Sequence, residues 1–575
     1  MVLRRASLTP ASLALPSSRL QLPLGLVVVS SSQLVLAARR RPLLRLGYFM
    51  VMMSRTVFAA LLLAACSRPP ASVRGITGTF RILHTNDIHG DLREFHVDTG
   101  GATAQTGDPG RGPQQYPRAG IIGGFPRLAA VVNDIRQLRG ARNVMLVDAG
   151  DTFGDQLLSN LTRGAATLTM MDALRYDFMA LGNHDYEYTA DRTRQLQDMV
   201  RFPIRAANAI VTATGQPFLG DPTAVVIVGG VRVGLLALTY HNTDQTGNRD
   251  NTRDLQFRSG IDVAREYVPE LRRRADVIVV VSHQGTVVDS LLGERVPGID
   301  LIIGGHSHDR IQPPRRVGGA WMVQALSDAS ALGELTVVMQ DGRLTQVEET
   351  VHELYADRYQ PDARFTRLLD SIRAPFRDTL DAVIATAADR IARHYKSESP
   401  VDVLAAEILR QHGHADAAFL PGLGFGVTMQ PGPITREMLV GMFPHPTSVI
   451  REQLTGTQIL EVLEQSATNL RPVDDMNRVG GLVQTAGMRW TVDLTRPIGQ
   501  RISGVVIRDA PLEPARAYVV MTNGGLLQGT HRYATFGRGA GIVRDGKSFA
   551  LVLEEGVRAM HTVRAPALGA VTLVK

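Results

Sequence analysis

Residues 80–90 read FRILHTNDIHG and set the pattern that the first half of the chain repeats. The apolar run Phe80–His84 has the composition of a buried β-strand, and the triplet Asp87-Ile88-His89 follows closely. Residues two apart in an extended chain point to the same side, so Asp87 and His89 can reach one centre. The stretch therefore predicts a strand with two potential metal ligands at its carboxyl end.

Four further apolar runs end in polar groups of the same kind. These groups are Gly150-Asp151 in VDAGDTF, Gly182-Asn183-His184-Asp185 in ALGNHDYE, Ser282-His283 in VVVSHQG and Gly304-Gly305-His306-Ser307-His308 in IIGGHSHD. Ligands of open α/β sheets gather at the carboxyl ends of the strands, so we expect these groups to meet. Each motif alone is also typical of a polar turn or a hydrogen-bonded core histidine, but the series of five favours a metal site.

Residues 72–345 alternate short β-rich runs with helical patterns, which predicts an α/β fold. The predicted strands are Phe80–His84, Val144–Asp148, Phe178–Leu181, Val231–Ala237, Val277–Val281 and Leu301–Ile303. Between the first two strands, Thr99–Arg118 is rich in Gly, Pro and Gln and indicates a surface loop.

The second half of the chain has a mixed pattern. Its predicted elements are the helices Val401–Gln411 and Gly456–Gln465 and the strands Gly504–Val506 and Ala517–Thr522. We therefore predict a first domain over residues 72–350, a linker helix within 351–385, and a smaller α+β domain over 386–575.

The basic character of the chain is confined to its beginning. Eight of the 62 basic residues precede Cys66 and no acidic residue does, so the rest carries 54 basic and 55 acidic residues. Only three cations are lysines, namely Lys396, Lys547 and Lys575. This balance argues against a nucleic-acid polymer as partner.

The stretch MSRTVFAALLLAAC, residues 53–66, predicts an export signal. It resembles the lipobox of bacterial lipoproteins, which implies a signal peptide at 53–65, lipidation of Cys66, and a periplasmic or cell-surface lipoprotein anchored to a membrane. The alternative is an ordinary export signal with an incidental cysteine. Residues 1–52 are interpreted as an over-extended gene start, the alternative being a membrane segment around Leu22–Ala38.

The order of the five motifs resembles the calcineurin-like metallophosphoesterases. With the second half included, roughly residues 79–560 are similar to the bacterial 5′-nucleotidase family. The resemblance implies an N-terminal β-sandwich flanked by helices and a C-terminal substrate domain. It also implies an exported phosphoesterase that hydrolyses small phosphate monoesters, nucleotides among them, with a metal-bridged hydroxide.

The resemblance further implies a set of metal ligands and a proton donor. One divalent ion would take Asp87, His89, Asp151 and His308, and a second would share Asp151 and add Asn183, His283 and His306. This set suits Mn, Zn, Fe, Co or Mg without selecting among them. His184 would donate a hydrogen bond or a proton to the leaving oxygen. Glu187 stands where the family usually has an aspartate that orients this ring; its alternative is a solvated loop acid.

The nucleotide-recognition motifs of the family are replaced in this chain. LPGLGFG stands where Asn-Gly-Gly-x-Arg is expected, His445 and Thr447 fall near a Phe and an Asn position, and Gly524 replaces an aromatic residue. Three aromatic residues are either substitutes for the missing rings or core residues: Phe425, Phe443 and Tyr533.

Two alternative functions stay open at this point. PGLGFG, GPITRE and GGLVQTAGMRW are similar to the thiosulfohydrolase of bacterial sulfur oxidation, which implies release of sulfate instead of phosphate. A non-catalytic, ligand-binding surface lipoprotein is the other alternative, although all the expected metal ligands are present.

Overall fold

The computed structural model describes residues 75–97, 116–394, 396–423, 428–477 and 479–574. The predicted gene start, signal peptide, Cys66, Phe425 and most of the Thr99–Arg118 loop lie outside these residues. Within the described ranges, no helix combines the length and the apolar character that crossing a bilayer requires.

Two large β-sheets and one two-stranded sheet form the first half of the described chain, and the two-stranded sheet pairs residues 94–97 with residues 120–123. Its strands are β1 Gly78–Thr85, β2 Glu94–Val97, β3 Gly120–Gly123, β4 Val144–Asp148, β5 Phe178–Ala180, β6 Ile204–Val211, β7 Pro217–Phe218, β8 Thr223–Val228, β9 Val231–Leu238, β10 Leu255–Phe257, β11 Val277–Ser282, β12 Leu301–Gly304, β13 Arg310–Val317, β14 Ala320–Ala325, β15 Ala331–Gln340 and β16 Arg343–Glu353. One sheet has the order β10-β6-β5-β4-β1-β15-β16, with β7 also paired to β6, and the other has the order β13-β14-β12-β11-β9-β8. The strands that precede the five polar motifs run parallel to one another within each sheet, β1-β4-β5 in the first and β11-β12 in the second.

Helices cover the outer faces of both sheets. They are α1 Phe125–Arg139, α2 Leu157–Thr162, α3 Ala165–Leu174, α4 Ala190–Gln197, α5 Thr243–Thr246, α6 Gly260–Arg274, α7 Thr286–Arg295, α8 Ala363–Arg373 and α9 Arg377–Leu380, with short 3-10 turns at Ala141–Asn143, His184–Tyr186, Arg249–Thr252 and Ala374–Phe376. The predicted β-sandwich flanked by helices is confirmed.

The layering follows from the alternation of side chains along each strand. In β4, Met145 and Val147 pack in the apolar layer between the two sheets, whereas Val144 and Leu146 pack under the helices on the outer face. β11 behaves in the same way on the other sheet. Strands that are apolar on both faces are typical of sheets covered on both sides, which explains why these short runs could be recognised in the sequence. All six predicted strands are confirmed, with ends that differ by two residues at most.

The second half of the chain is an α+β domain, as predicted. Its strands are β17 Val383–Ala387, β18 Ala417–Leu420, β19 Gly432–Thr435, β20 Ser448–Thr455, β21 Gln484–Ala486, β22 Met488–Asp493, β23 Ile502–Ile507, β24 Ala510–Pro511, β25 Ala517–Asn523, β26 Ala540–Ser548, β27 Thr562–Val563 and β28 Val571–Val574. Its helices are α10 Pro400–His412, α11 Arg436–Met442, α12 Gly456–Leu470, α13 Gly524–Leu527 and α14 Phe549–Met560, with 3-10 turns at Asp475–Asn477, Thr530–Arg532 and Phe536–Arg538. A five-stranded sheet has the order β21-β18-β25-β20-β26, and four- and three-stranded sheets have the orders β24-β23-β22-β28 and β19-β17-β27.

The predicted linker segment contains two short helices, α8 and α9, separated by a 3-10 turn at Ala374–Phe376. Phe365 of α8 packs against Phe125 of α1, with 6.2 Å between ring centroids, so this helix belongs to the core of the first half. At the end of α8, Arg373 forms an ion pair with Glu437 of α11, with 2.6 Å between Nη1 and Oε1. The domain boundaries at 350 and 385 stay a prediction.

A buried carboxylic acid lies in the central region of the C-terminal domain. Glu452 on β20 is 0% exposed, and neither carboxyl oxygen has a hydrogen-bond partner among the described residues. Burial raises its pKa to about 8. In the unfolded chain, Glu452 ionises at its ordinary, lower pKa. The folded chain therefore has the full stability of the neutral acid below that ordinary pKa, and it loses this stability as the pH rises from there to about 8.

We therefore expect Glu452→Gln to be more stable than the native chain at pH 8. Above pH 5, the free energy of unfolding of this variant should fall less steeply with pH than that of the native chain. The slopes of the free energy of unfolding against pH should differ between the two chains by at most about 1.4 kcal/mol per pH unit. Urea unfolding between pH 5 and 8 measures this, with the exposed Glu348→Gln as control. An unchanged pH slope in Glu452→Gln would show that this carboxyl group is ionised in the folded protein.

Candidate metal centre

The sheets place all seven predicted metal ligands at one edge of the sandwich. Each ligand follows the carboxyl end of a strand: Asp87 and His89 after β1, Asp151 after β4, Asn183 after β5, His283 after β11, and His306 and His308 after β12. Six of the seven are buried and His306 is partly exposed. The two sheets therefore contribute to one site, as the motif pattern predicts.

Six of these side chains form two adjoining groups. The ligand atoms of Asp87, His89 and His308 lie within 4.8 Å of one another, and so do those of Asp151, His283 and His306. His283 connects the groups, because its Nε2 lies 2.8 Å from Asp151 Oδ2 and 3.8 Å from Asp87 Oδ1. The seventh residue, Asn183, lines the same cavity as Asp151, and its buried Oδ1 has no hydrogen-bond partner among the described residues.

The backbone at this site is strained. Five of the predicted ligands have positive φ angles, namely Asp87 (53°), His89 (52°), Asp151 (54°), His306 (72°) and His308 (54°). A non-glycine residue in this region costs about 1–2 kcal/mol, and such residues cluster where the surrounding structure holds a functional geometry. The conformation turns successive side chains into the site.

Hydrogen bonds fix the orientation of two of the histidine rings. His89 Nδ1 lies 2.5 Å from Asp155 Oδ2, and His283 Nδ1 lies 2.7 Å from the carbonyl oxygen of Ala149. Histidine ligands commonly donate one ring N–H in this way while the other nitrogen binds the metal. His283 Nε2 is buried and lies against the Asp151 carboxylate, 2.8 Å from Oδ2. The donor set therefore fits divalent cations of the kind that calcineurin-like phosphoesterases use.

The pKa values of the acidic and histidine side chains at the site are shifted in different directions. Burial alone would raise the pKa of Asp151, but the charges of His283 and His184 outweigh it and hold the pKa well below its ordinary value. Burial likewise opposes the charged form of His283, yet Asp151 and Asp87 raise its pKa to about 9. Burial and the charge of His283 lower the pKa of His306 to about 3. A cation that enters the site must therefore displace protons.

The two loops that carry Asp151 and Asn183 are held together by Asp185. Its buried carboxylate accepts hydrogen bonds from the backbone N–H groups of residues 151, 152, 153 and 182. Gly182 is required beside it, because a Cβ there would lie 2.2 Å from Asp151 Oδ1. Asp185 therefore has a structural function within the GNHD motif.

His184, the predicted proton donor, borders the second group of ligands. Its backbone N–H donates to Asp151 Oδ1 at 2.7 Å, and its Nδ1 lies 3.5 Å from Glu187 Oε1. Burial would lower the pKa of His184, but the nearby charges of Asp155 and Asp151 raise it well above its ordinary value. The Glu187 side chain is 10% exposed, so it is not a solvated loop acid, and its orienting role stays a prediction.

Three residues of the site were not identified from the sequence. Asp155 contacts both His89 and His184, Tyr240 stacks on His306 with 4.0 Å between ring centroids, and His445 stacks on His184 at 4.8 Å. A second acid four residues after Asp151 was the available signal for Asp155. His445 was noted only as a replacement of a phenylalanine, and no pattern pointed to Tyr240.

The site opens into a cavity of about 360 Å³ between the two halves of the chain. Among the described residues that line it there is no phenylalanine or tryptophan, and Arg544 is the one arginine. The aromatic substitutes considered above are core residues where the structure describes them. Phe443 and Tyr533 are 7% and 1% exposed and pack in the two apolar clusters of the C-terminal domain.

Comparison with known families agrees with this architecture. The family model of the calcineurin-like phosphoesterases matches residues 80–310, and the model of the 5′-nucleotidase C-terminal domain matches residues 383–538. The protein UshA of Yersinia enterocolitica is 24% identical over 497 residues, covering 77% of this chain and 84% of that protein. The 5′-nucleotidase of Vibrio cholerae is 24% identical over 499 residues, with the same coverage of both chains.

Two solved structures share the whole fold. A 5′-nucleotidase precursor from Thermus thermophilus matches with a TM-score of 0.77 and 25% identity, covering 86% of this chain and 99% of that chain. The sulfate thiohydrolase SoxB from Thermus thermophilus also has a TM-score of 0.77, at 24% identity, covering 88% and 97%. The region that matches the first family model contains the edge of the sandwich where the predicted ligands meet. From the two matched models together, the chain belongs to the calcineurin-like phosphoesterases with a 5′-nucleotidase C-terminal domain, and it is a phosphoester hydrolase.

Proposed function

We propose that this chain is an exported, metal-dependent phosphomonoesterase whose substrates include nucleotides. The observation that carries the proposal is the pair of adjoining ligand groups, Asp87-His89-His308 and Asp151-His283-His306, four members of which line a cavity between the two halves of the chain: His89, Asp151, His306 and His308. Relatives named 5′-nucleotidase supply the substrate class.

Two divalent cations, of Mn, Zn, Fe, Co or Mg, are proposed for these groups together with Asn183. When bound, such a pair neutralises phosphate charge and acidifies a water for in-line attack. Asp151 is proposed as the ligand that both ions share. It belongs to the second group and lies 2.8 Å from His283 Nε2, and the same nitrogen lies 3.8 Å from Asp87 of the first group.

His184 is the proposed proton donor to the leaving oxygen. It lines the cavity beside Asn183, and the charges of Asp155 and Asp151 outweigh burial and raise its pKa well above the ordinary value, which favours the protonated imidazole. Its Nδ1 faces Asp155 and Glu187, both at 3.5 Å, and its Nε2 is the nitrogen that we assign to the substrate. An acid near the leaving group typically contributes 10²- to 10⁴-fold to the rate.

The cavity lining predicts weak discrimination between bases. Stacking on aromatic rings is worth about 1–3 kcal/mol per base, and the described lining offers no phenylalanine or tryptophan for it. We expect kcat/KM for purine and pyrimidine nucleoside monophosphates to agree within about tenfold, which corresponds to about 1.4 kcal/mol. Phosphate release from a panel of nucleotides measures this, with p-nitrophenyl phosphate as a non-nucleotide reference. A preference above about a hundredfold for one base would contradict this account of the cavity.

Release of sulfate is a second candidate, because the described lining of the cavity offers no phenylalanine or tryptophan between which a base could stack. The decisive experiment loads purified protein with defined metals and measures phosphate and sulfate release from matched esters. Metal-dependent phosphate release supports the proposal. Sulfate release without phosphate release favours the second candidate. Absence of turnover on every ester, including p-nitrophenyl phosphate, favours a non-catalytic ligand-binding lipoprotein.

Export and membrane anchoring through lipidated Cys66 are proposed from residues 53–66. Mass spectrometry of the mature N-terminus tests this directly. A diacylated Cys66 supports the anchor, and Cys66→Ala is then expected to leave the membrane fraction. An unmodified N-terminus elsewhere in the chain would contradict it.

A further inference from the structure

We propose a third cation site, separate from the proposed pair, formed by Asp155, His184 and Glu187 of the first domain and His445 of the second. The ligand atoms of Asp155, His184 and His445 lie within 4.8 Å of one another. Glu187 adds a second carboxylate to the same cluster. The resulting set, two imidazole nitrogens and two carboxylate oxygens, is one that Zn²⁺ commonly binds.

The spacing of these atoms matches the edges of a zinc tetrahedron. His184 Nδ1 lies 3.5 Å from Asp155 Oδ1 and 3.5 Å from Glu187 Oε1. His445 Nδ1 lies 3.5 Å and 3.4 Å from the same two oxygens. Metal–ligand bonds of about 2.0–2.2 Å in a tetrahedron give ligand–ligand distances of roughly 3.3–3.6 Å. These four separations are too long for good hydrogen bonds and right for two ligands on one ion.

Burial and charge support a cation at this point. Asp155 is 3% exposed, and its Oδ1 has no hydrogen-bond partner among the described residues, while its Oδ2 contacts His89. The Glu187 side chain is 10% exposed. Two carboxylates converge here at low exposure, and a divalent ion would place positive charge beside both in a single group.

The site would connect the two domains. His445 follows α11 of the C-terminal domain, whereas the other three residues belong to loops at the edge of the sandwich. Both imidazole rings turn Nδ1 toward the same pair of oxygens, with 9° between their planes. An ion held there would link the two domains through His445.

Occupation would also fix the ring of His184. A ring held by an ion through Nδ1 could no longer adjust to the leaving oxygen of a substrate, so the proposed proton donor would be impaired. The third ion is therefore expected to be inhibitory. This consequence rests on the proposed function, whereas binding of the ion does not.

Zinc stoichiometry tests the site. The full chain is loaded with excess Zn²⁺, freed of unbound ions and measured by elemental analysis beside His445→Ala and His445→Phe. We expect three ions per native chain and two in both variants. His412→Ala is the matched control, because His412 lies in the same domain and contacts one carboxylate, Asp545, at 2.6 Å. It is expected to retain three ions.

Two ions in the native chain, or three in the His445 variants, would overturn the proposal. The outcome is independent of turnover, so failure of the third site leaves the phosphoesterase proposal standing, and an inactive protein that binds three ions leaves the third site standing. Inhibition is then measured by adding Zn²⁺ to enzyme that holds two ions. A falling rate in the native chain and a constant rate in His445→Ala support the inhibitory role, whereas parallel curves would overturn it.

Discussion

Asp151→Asn is expected to abolish turnover and to lower Mn²⁺ content from two ions per chain to one or none. The substitution replaces the proposed shared carboxylate with a neutral amide. Asp151 Oδ2 lies 2.8 Å from His283 Nε2, and Oδ1 accepts the backbone N–H of His184 at 2.7 Å. One change therefore removes charge from both proposed ion positions. We expect a loss on the order of 10³-fold or more in kcat, equivalent to about 4 kcal/mol.

Asp276→Asn is the matched control for this experiment. Asp276 precedes β11 at the end of the strand opposite His283, and it forms an ion pair with Arg232, 2.6 Å between Oδ1 and Nη2. This variant should keep two Mn²⁺ ions and full activity. Full turnover with two ions in Asp151→Asn would show that the shared-ligand proposal is wrong.

His184→Ala is expected to lower kcat by about 10²- to 10⁴-fold on nucleotide substrates while the two Mn²⁺ ions remain bound. The reason is that His184 borders the proposed ligands and is not assigned to either group. The loss should depend on the leaving group. An alkoxide such as that of a nucleoside needs a proton as it departs, whereas p-nitrophenolate is stable without one, so the deficit on p-nitrophenyl phosphate should be much smaller.

The comparison of the two substrates separates proton donation from a structural role. A His184→Ala protein that loses the same factor on both substrates, or that loses Mn²⁺, would contradict proton donation. Glu187→Gln is informative beside it, because Glu187 lies 3.5 Å from His184 Nδ1 and should produce a weaker loss with the same dependence on leaving group.

The strands were predictable because burial on both faces leaves a strong local signal. Val144–Asp148 is apolar except for its last residue, and its observed bounds are those predicted. The metal-ligand side chains could be predicted for a related reason, because each stands within four residues of the end of such a strand. The parallel strands bring Asp87 and Asp151 together in one sheet, and the packing of the two sheets adds His283.

The cluster of side chains around Asp155 could not be predicted from local patterns in the sequence. Asp155 and His445 lie in different domains, and only the docking of the C-terminal domain brings them within 3.5 Å. The role of the aromatic residues as substitutes for the missing rings could not be decided from the sequence for a different reason. Phe443 and Tyr533 lie near the expected substrate motifs in sequence, but burial in the C-terminal core removes them from the cavity, and composition cannot distinguish these cases.

Anomalous diffraction from crystals loaded with Mn²⁺ tests the central claim most directly. The account predicts two peaks roughly 3.5–4 Å apart, one beside Asp87, His89 and His308 and the other beside Asn183, His283 and His306, with the Asp151 carboxylate between them. A single peak, or two peaks that do not share Asp151, would contradict it.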